Sequence, residues 1–382
     1  MSKWEKVRLG DVCQITMGQS PDSKSYNLNG DGLPFYQGNA DFGEVYPKVR
    51  YFCNKPIKIA EKDDILISVR APIGSVNIAI ERCCIGRGLA ALRTQKLILD
   101  TKYLFYVLKL KNNELSLKGT GSTFKAINKQ ILSNLIIPLP PLEIQKKIAN
   151  TLDTVAELLA LQKQQLHELN KLIESIYYEM FGDPVLNEKK WTIKVLDDLC
   201  NKITDGTHHS PENLKEGKYK YITAKNINKD GFDFSELTYV SEEVHKQIYS
   251  RCNPEYGDIL YIKDGVTTGI AQINTLTEEF SMLSSVALLK HNREIINCYF
   301  LRDTLNNNNM YTCIRKNMGG AAITRLTLNK IKQIKIPVPP IELQNQYADI
   351  VSKIDVQKTQ VRKAIEETQT LFDSFMSRYF ND

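Results

Sequence analysis

The sequence predicts an α/β fold of the α+β kind: two strand-rich globules joined by two long antiparallel coiled-coil helices, related by a pseudo-twofold internal repeat. Three observations carry this. The chain is written twice, with a period near half its length, which is far longer than a solenoid repeat. Within each copy, short β-branched and aromatic runs broken by Gly, Asn and Asp give way at a proline pair to a long heptad pattern. The two heptad patterns also share length and phase.

Each copy opens alike. Trp4 to Cys13 (WEKVRLGDVC) matches Trp191 to Cys200 (WTIKVLDDLC), with Leu9/Leu196, Asp11/Asp198, Val12/Leu199 and Cys13/Cys200 in register. Asp64 to Ile67 matches Asp258 to Tyr261, and Gly74 or Gly269 follows, so both read as a strand entering a turn. Residues 100–111 and 295–306 show an apolar face at helical spacing, which makes the globules mixed rather than all β. The endings agree too: Gly121 to Ile127 matches Gly320 to Leu326, and Ile137-Pro138-Leu139-Pro140-Pro141 matches Ile336-Pro337-Val338-Pro339-Pro340. The offset is 187 at Trp4/Trp191 and 199 at Ile137/Ile336, so the second copy carries about twelve more residues, in loops, where insertions are tolerated best.

Prolines in a first helical turn sacrifice no hydrogen bond, so the proline pairs mark helix starts. In the first helix Ile148, Leu152, Val155, Leu159, Leu166, Leu169, Ile173, Ile176 and Met180 take a and d positions, with Gln162 breaking the seam. A shift of 199 puts Tyr347, Val351, Ile354, Lys358, Val361, Ile365, Thr368, Phe372, Phe375 and Tyr379 in the same frame. At 1.5 Å per residue, roughly 40 residues make a rod of about 60 Å. One such heptad alone would pack on its own globule. Two equal ones most economically bury each other's seams, and antiparallel pairing supplies the pseudo-twofold; homodimerisation through the rods is the competing arrangement. In either, Gln162 and Lys358 are polar register-setters. The expected boundaries are 1–139 and 183–338 for the globules, and 140–182 and 339–382 for the helices.

At 382 residues there is room for two or three domains, and 42% apolar with 25% charged residues excludes wholesale disorder. Apolar runs such as Ile65 to Val69 are too short to span a bilayer and Met1-Ser2-Lys3-Trp4 opens no signal sequence, which places the protein in the cytoplasm. The cysteines are scattered, with Cys83-Cys84 adjacent, so neither a zinc nor a disulfide framework follows. His208-His209 lie in a polar loop with no cysteine at ligand spacing. A net charge of +6 is compatible with a polyanionic partner but does not identify one.

No catalytic motif stands in the sequence. Gly119-Thr120-Gly121-Ser122-Thr123 lacks the lysine of a phosphate loop. Asn253-Pro254-Glu255-Tyr256 comes near the Asn-Pro-Pro-Tyr of adenine methyltransferases, but it departs at the third position, has no glycine-rich cofactor loop upstream, and reads as a turn. Pro21-Asp22-Ser23-Lys24 lacks the second carboxylate that metal-assisted phosphodiester cleavage requires. Asp63-Asp64 and Glu242-Glu243 have no His or Cys partner and read as solvated charge. Neither catalytic residues nor metal ligands are expected.

The duplicated architecture, the PPLEIQKKIA of Pro140 to Ala149 and the PPIELQNQYA of Pro339 to Ala348 resemble type I restriction-modification specificity subunits across essentially the whole chain. Supporting matches are the Trp4 start, Gln37-Gly38-Asn39, Gly86-Arg87-Gly88 and Gly121-Ser122-Thr123. The resemblance implies two target-recognition domains, each reading one half of a split double-stranded DNA sequence. It implies paired helices that hold the halves apart and bind two DNA methyltransferase (modification) subunits. S-adenosylmethionine would belong to those partners, and ATP and Mg to two further restriction/translocase subunits, leaving this chain without a cofactor. Since the copies differ in their loops, the target is expected to be asymmetric.

Polar loop side chains reach base edges and Lys or Arg reach phosphates. The expected contacts are therefore Gln37, Asn39, Arg70, Arg87, Ser122, Thr123 and Lys125 in the first copy, and Lys225, Asn226, Lys263, Thr267, Thr268 and Arg325 in the second. For Arg87, buried pairing with a carboxylate competes. Two other classes stay open: an enzyme with its own active site, which the missing cofactor loop counts against, and a coiled-coil scaffold for proteins, which predicts no salt-dependent DNA binding.

Overall fold

The matching motifs at the start and end of each copy are the two sides of one ladder. In the computed structural model, which describes residues 4–119, 125–316 and 325–380, Lys6–Arg8 pairs antiparallel with Ile136–Pro138. Thr192–Val195 pairs likewise with Lys335–Val338. Leu9 and Leu196 follow directly, fully buried, their backbone N–H groups donating to Leu135 O at 2.8 Å and Ile334 O at 2.9 Å.

Between these ladders the copies build the same central sheet. Its strand order is Cys13–Met17, Leu89–Thr94, Ile65–Ser68, Val76–Ile78 in the first copy, and Cys200–Asp205, Val286–His291, Ile259–Ile262, Ala271–Ile273 in the second. All neighbours run antiparallel. Gly74 (φ +92°) and Gly269 (φ +100°) take the left-handed conformation in the turn after the third strand, where a Cβ would meet Asn112 or Tyr311 within 3 Å.

Asp64 and Asp258, at the mouth of that strand, are buried, so of the Asp63-Asp64 pair expected as solvated charge only Asp63 is exposed and Asp64 is a correction. Asp64 accepts two bonds of 2.9 Å from the Arg93 guanidinium, and Asp258 lies 3.1 Å from Lys290 Nζ, the same pair in both copies. Glu242 stays exposed beside Lys246.

The second layer is where the copies part. In the first it is a five-stranded sheet in the order Tyr26–Asn27, Tyr51–Cys53, Leu33–Tyr36, Cys83–Ile85, Ile59–Ala60. In the second it is a three-stranded sheet of Thr238–Val240, Tyr219–Ile222 and Ser281–Met282, with a small hairpin at 227–232. The three strands of the second match the middle three of the first, with the same antiparallel and parallel pairings, so that Tyr26–Asn27 and Ile59–Ala60 are what the first copy adds.

The helices that frame these sheets are α1 (Thr101–Leu110), α2 (Leu142–Phe181), α3 (Glu242–Arg251), α4 (Cys298–Asn306) and α5 (Ile341–Phe380). Asp100 caps α1 by accepting from Tyr103 N, and Asn297 caps α4 by accepting from Tyr299 N, both at 2.9 Å. Among the described residues no helix is long and apolar enough to cross a membrane.

The chain forms two compact units, residues 1–163 with 363–382, and residues 164–362. Each therefore takes one globule and half of each long helix. In the first unit Ile148, Ala149 and Leu152 near the start of α2 share a core with Met376 near the end of α5, and Phe372 and Phe380 pack on Tyr106 and Tyr103. In the second, Ile173, Tyr177 and Phe181 at the end of α2 meet Tyr347, Val351 and Ile354 at the start of α5. Within each unit the helices thus run antiparallel.

The seam drifts from the heptad. Val155, Leu159 and Val361 are buried, but Leu166, Leu169, Ile176, Met180, Ile365, Phe372 and Phe375 are only half-buried, while Tyr177, Phe181 and Met376 go fully inside. Spacing of four between Ile173, Tyr177 and Phe181 follows the 3.6-residue turn of a straight helix rather than a 3.5-residue repeat. Lys358 is buried with Nζ 3.2 Å from Asp355, and Gln162 Oε1 is buried with no hydrogen-bond partner among the described residues.

Candidate nucleic-acid interface

In the first unit, backbone hydrogen bonds lay four segments side by side at one end of the central sheet. Gly86 N donates to Tyr36 O at 2.8 Å, Val69 N to Gly88 O at 2.9 Å, and Ile127 N to Val69 O at 3.0 Å, with Arg70 and Ala126 bridged. Gly88 is required here, since a Cβ would lie 2.4 Å from Gln37 O. Beside it, Asp41 turns inward at 1% exposure. Its carboxylate accepts from Gln37 N at 2.6 Å, Gly38 N at 3.3 Å and Arg50 Nε at 2.6 Å, fixing the single turn Asn39–Asp41.

This arrangement brings together Gln37, Arg70, Arg87 and Lys125, all exposed, and Asn39, half-buried. Arg87 makes no ion pair among the described residues, so its expected competitor, buried pairing, is not what the structure holds. Ser122 and Thr123 lie outside the described residues. Sequence reasoning passed over Ser20, whose Oγ accepts from Arg87 N at 3.3 Å, and the exposed Gln19, whose N donates to Ile85 O at 3.1 Å. The Gly18-Gln19-Ser20-Pro21 turn was the available signal.

The second unit repeats the scaffold with other side chains. Ala224 N donates to Ser285 Oγ at 3.1 Å, Lys263 N to Ser285 O at 2.9 Å, and Leu326 N to Lys263 O at 2.8 Å, while Asp264 and Arg325 form the bridge. Lys225 and Thr267 are exposed, as is Arg325. Three expected contacts are interior instead. Asn226, 3% exposed, plays the part of Asp41: its Oδ1 accepts from Thr223 N at 3.0 Å and its Nδ2 donates to Asp233 O at 3.1 Å. Thr268 is fully buried and its hydroxyl donates to Gly265 O at 2.6 Å.

Lys263 is 2% exposed, with Nζ 2.9 Å from Asp264 and 3.6 Å from Asp205, a carboxylate also approached by Arg251 and His208. It stands where the first copy has Val69, and Asp205 stands where the first copy has Met17. A buried ion pair thus stands where the first copy has two apolar side chains, and the Lys263 ammonium is turned inward to carboxylates rather than outward. Asn253 to Tyr256 leads into a turn at Tyr256-Gly257 closed by Asp258 N donating to Glu255 O at 3.1 Å, and Asn253 Nδ2 donates to Glu255 Oε1 at 3.3 Å. Among the described residues there is no group of three or more His, Cys, Asp or Glu that could hold a metal, and all eight cysteines are free.

Two copies of one sheet-and-helix scaffold, each presenting exposed cationic side chains at the same end of its central sheet, define a duplicated two-domain protein. The type I restriction modification DNA specificity domain model matches residues 1–171 and again 188–368, so the chain belongs to that family. A type I restriction enzyme specificity subunit of Methanocaldococcus jannaschii, MjaVIII, is 23% identical across 96% of this chain and 91% of its own length. Over 175 residues, a second protein of that organism, provisionally named the MjaX specificity subunit, is 45% identical, across 45% of this chain and 41% of that one. The EcoBI specificity subunit of Escherichia coli is 20% identical across 99% and 85%. The crystal structure of a type I restriction-modification S subunit from M. genitalium superposes with a TM-score of 0.70 over 100% of this chain and 96% of that one, at 22% identity, and so shares the fold.

Proposed function

We propose that each unit reads one half of a bipartite, asymmetric DNA target, that the long helices set the half-site distance and dock methyltransferase subunits, and that the chain itself catalyses nothing. In this reading S-adenosylmethionine, ATP and Mg are bound by partner subunits. The observation that carries it is the contrast between a shared central sheet and a second layer whose three common strands are flanked by two more strands in the first copy and by a separate hairpin at 227–232 in the second. A shared scaffold with divergent outer layers suits two readers of different sequences, and two linked readers gain avidity and a spacing requirement. Gln37 and Asn39 offer amides to base edges, whereas Arg70, Arg87, Lys125, Lys225 and Arg325 offer charge to phosphates.

The test is to co-express the chain with the methyltransferase subunit of its system and map methylated adenines across host DNA. The expected result is one split, asymmetric motif that vanishes without this chain. Methylation unaffected by its removal would sink the proposal, and methylation by this chain alone would overturn its non-catalytic part.

A further inference from the structure

The bridge that closes each unit's candidate interface carries one arginine, but on opposite strands. In the first unit Arg70 faces Ala126; in the second Asp264 faces Arg325. The bridges are equivalent, because the same hydrogen bonds flank them: Val69 N to Gly88 O and Ile127 N to Val69 O in one, Lys263 N to Ser285 O and Leu326 N to Lys263 O in the other. Residues paired across an antiparallel bridge project from the same face of the sheet. Thus Arg70 and Arg325 deliver a guanidinium to the same face at the same place, from the two sides of one pair.

We propose, resting on the DNA-reading function above, that Arg70 and Arg325 are counterparts, each making the same backbone-phosphate contact in its own half-site. Arg70 is exposed and has no carboxylate partner among the described residues. Arg325 is 57% exposed, and its Nε lies 3.0 Å from Asp264 Oδ1, off hydrogen-bond alignment. A guanidinium has five N–H donors in a fork suited to phosphate, and an exposed ion pair holds it weakly, so phosphate can compete for it. Asp264 is already engaged by Lys263 Nζ at 2.9 Å, which keeps its carboxylate beside the bridge when Arg325 turns outward.

The experiment is a salt titration of the full chain on two duplexes, one of random sequence and one carrying the motif mapped by methylation, with thermal melts to verify folding. Each phosphate contact contributes about 0.9 to the slope of log K against log salt. Arg70→Ala and Arg325→Ala are each expected to make the slope shallower by about 0.9 on both duplexes. Adding Ala126→Arg to Arg70→Ala moves the guanidinium to the strand the second unit uses, and should restore the wild-type slope. If wild type shows no salt-dependent binding, the DNA-reading function fails. Normal wild-type binding with unchanged slopes in both single variants overturns the phosphate contact, and a shallower slope that Ala126→Arg does not recover overturns the equivalence.

Discussion

Thr94 and His291 hold the same place in the two central sheets, opposite Cys13 and Cys200. Thr94 is satisfied by Thr101, hydroxyl to hydroxyl at 3.0 Å, but His291 is buried with Nδ1 lacking a hydrogen-bond partner among the described residues. Burial, with Arg293 adding to it, pushes the imidazole down from 6.5 to about 4. Between those values the unfolded chain binds a proton that the folded chain refuses, so the contribution is whole above pH 6.5 and is lost as pH falls toward 4, with a ceiling of about 3 kcal/mol. The Asp355 carboxyl does not confuse this window. Burial pushes it up, but Arg302 and Lys358 outweigh that and hold it below its usual range, so its loss comes at lower pH. His291→Thr, the residue of the other copy, should flatten the decline in urea-denaturation stability of the second unit between pH 6.5 and 4.5. Parallel curves for variant and wild type would refute the assignment.

At the scale of elements, the Gln of each proline-pair motif explains why that motif recurs. Gln145 and Gln344 are fully buried. Gln145 Nε2 donates to Ile98 O at 2.9 Å and Pro140 O at 2.8 Å, and its Oε1 accepts from Asp100 N at 2.8 Å; Gln344 does the same with Ile295, Pro339 and Asn297. One side chain fastens the first turn of a long helix to the cap of α1 or α4. Gln145→Ala removes three hydrogen bonds, one buried at Pro140 O and two part-buried at Ile98 O and Asp100 N, and should cost roughly 3 kcal/mol, while Glu143→Ala, losing only an exposed pair with Lys146, should cost under about 0.5 kcal/mol by chemical denaturation. The repeat, the helix starts and the antiparallel pairing were legible because they rest on local periodicity and on duplicate text. Two things were not. The end of each seam was misplaced because a heptad template cannot register the drift of a straight helix, which hid Tyr177, Phe181 and Met376. Lys263, Asn226 and Thr268 looked like loop contacts because their burial depends on which strand lies beside them, and that only the register with Ser285 and Leu326 settles.

The division of the whole molecule into units makes the first depend on residues far along the chain. Met376 belongs to the core of the first unit, with Phe372, Phe375, Tyr379 and Phe380 packed against it, although the globule they cover ends more than two hundred residues earlier. Full burial of one such side chain contributes about 1.5–3 kcal/mol, so five partly or wholly buried ones together are comparable with the roughly 5–15 kcal/mol net stability of a domain. Removing residues 363–382 should therefore unfold or loosen the first unit and spare the second, whose helical contacts, Tyr347, Val351 and Ile354, lie before the cut. Amide hydrogen exchange is the measurement, with protection expected to fall across α1 and the sheet of Cys13–Met17, Leu89–Thr94 and Ile65–Ser68 while the sheet of Val286–His291 keeps its own. Uniform loss across both units would mean that they fold as one cooperative body, and no loss at all would mean that the end of α5 contributes little to the core it covers.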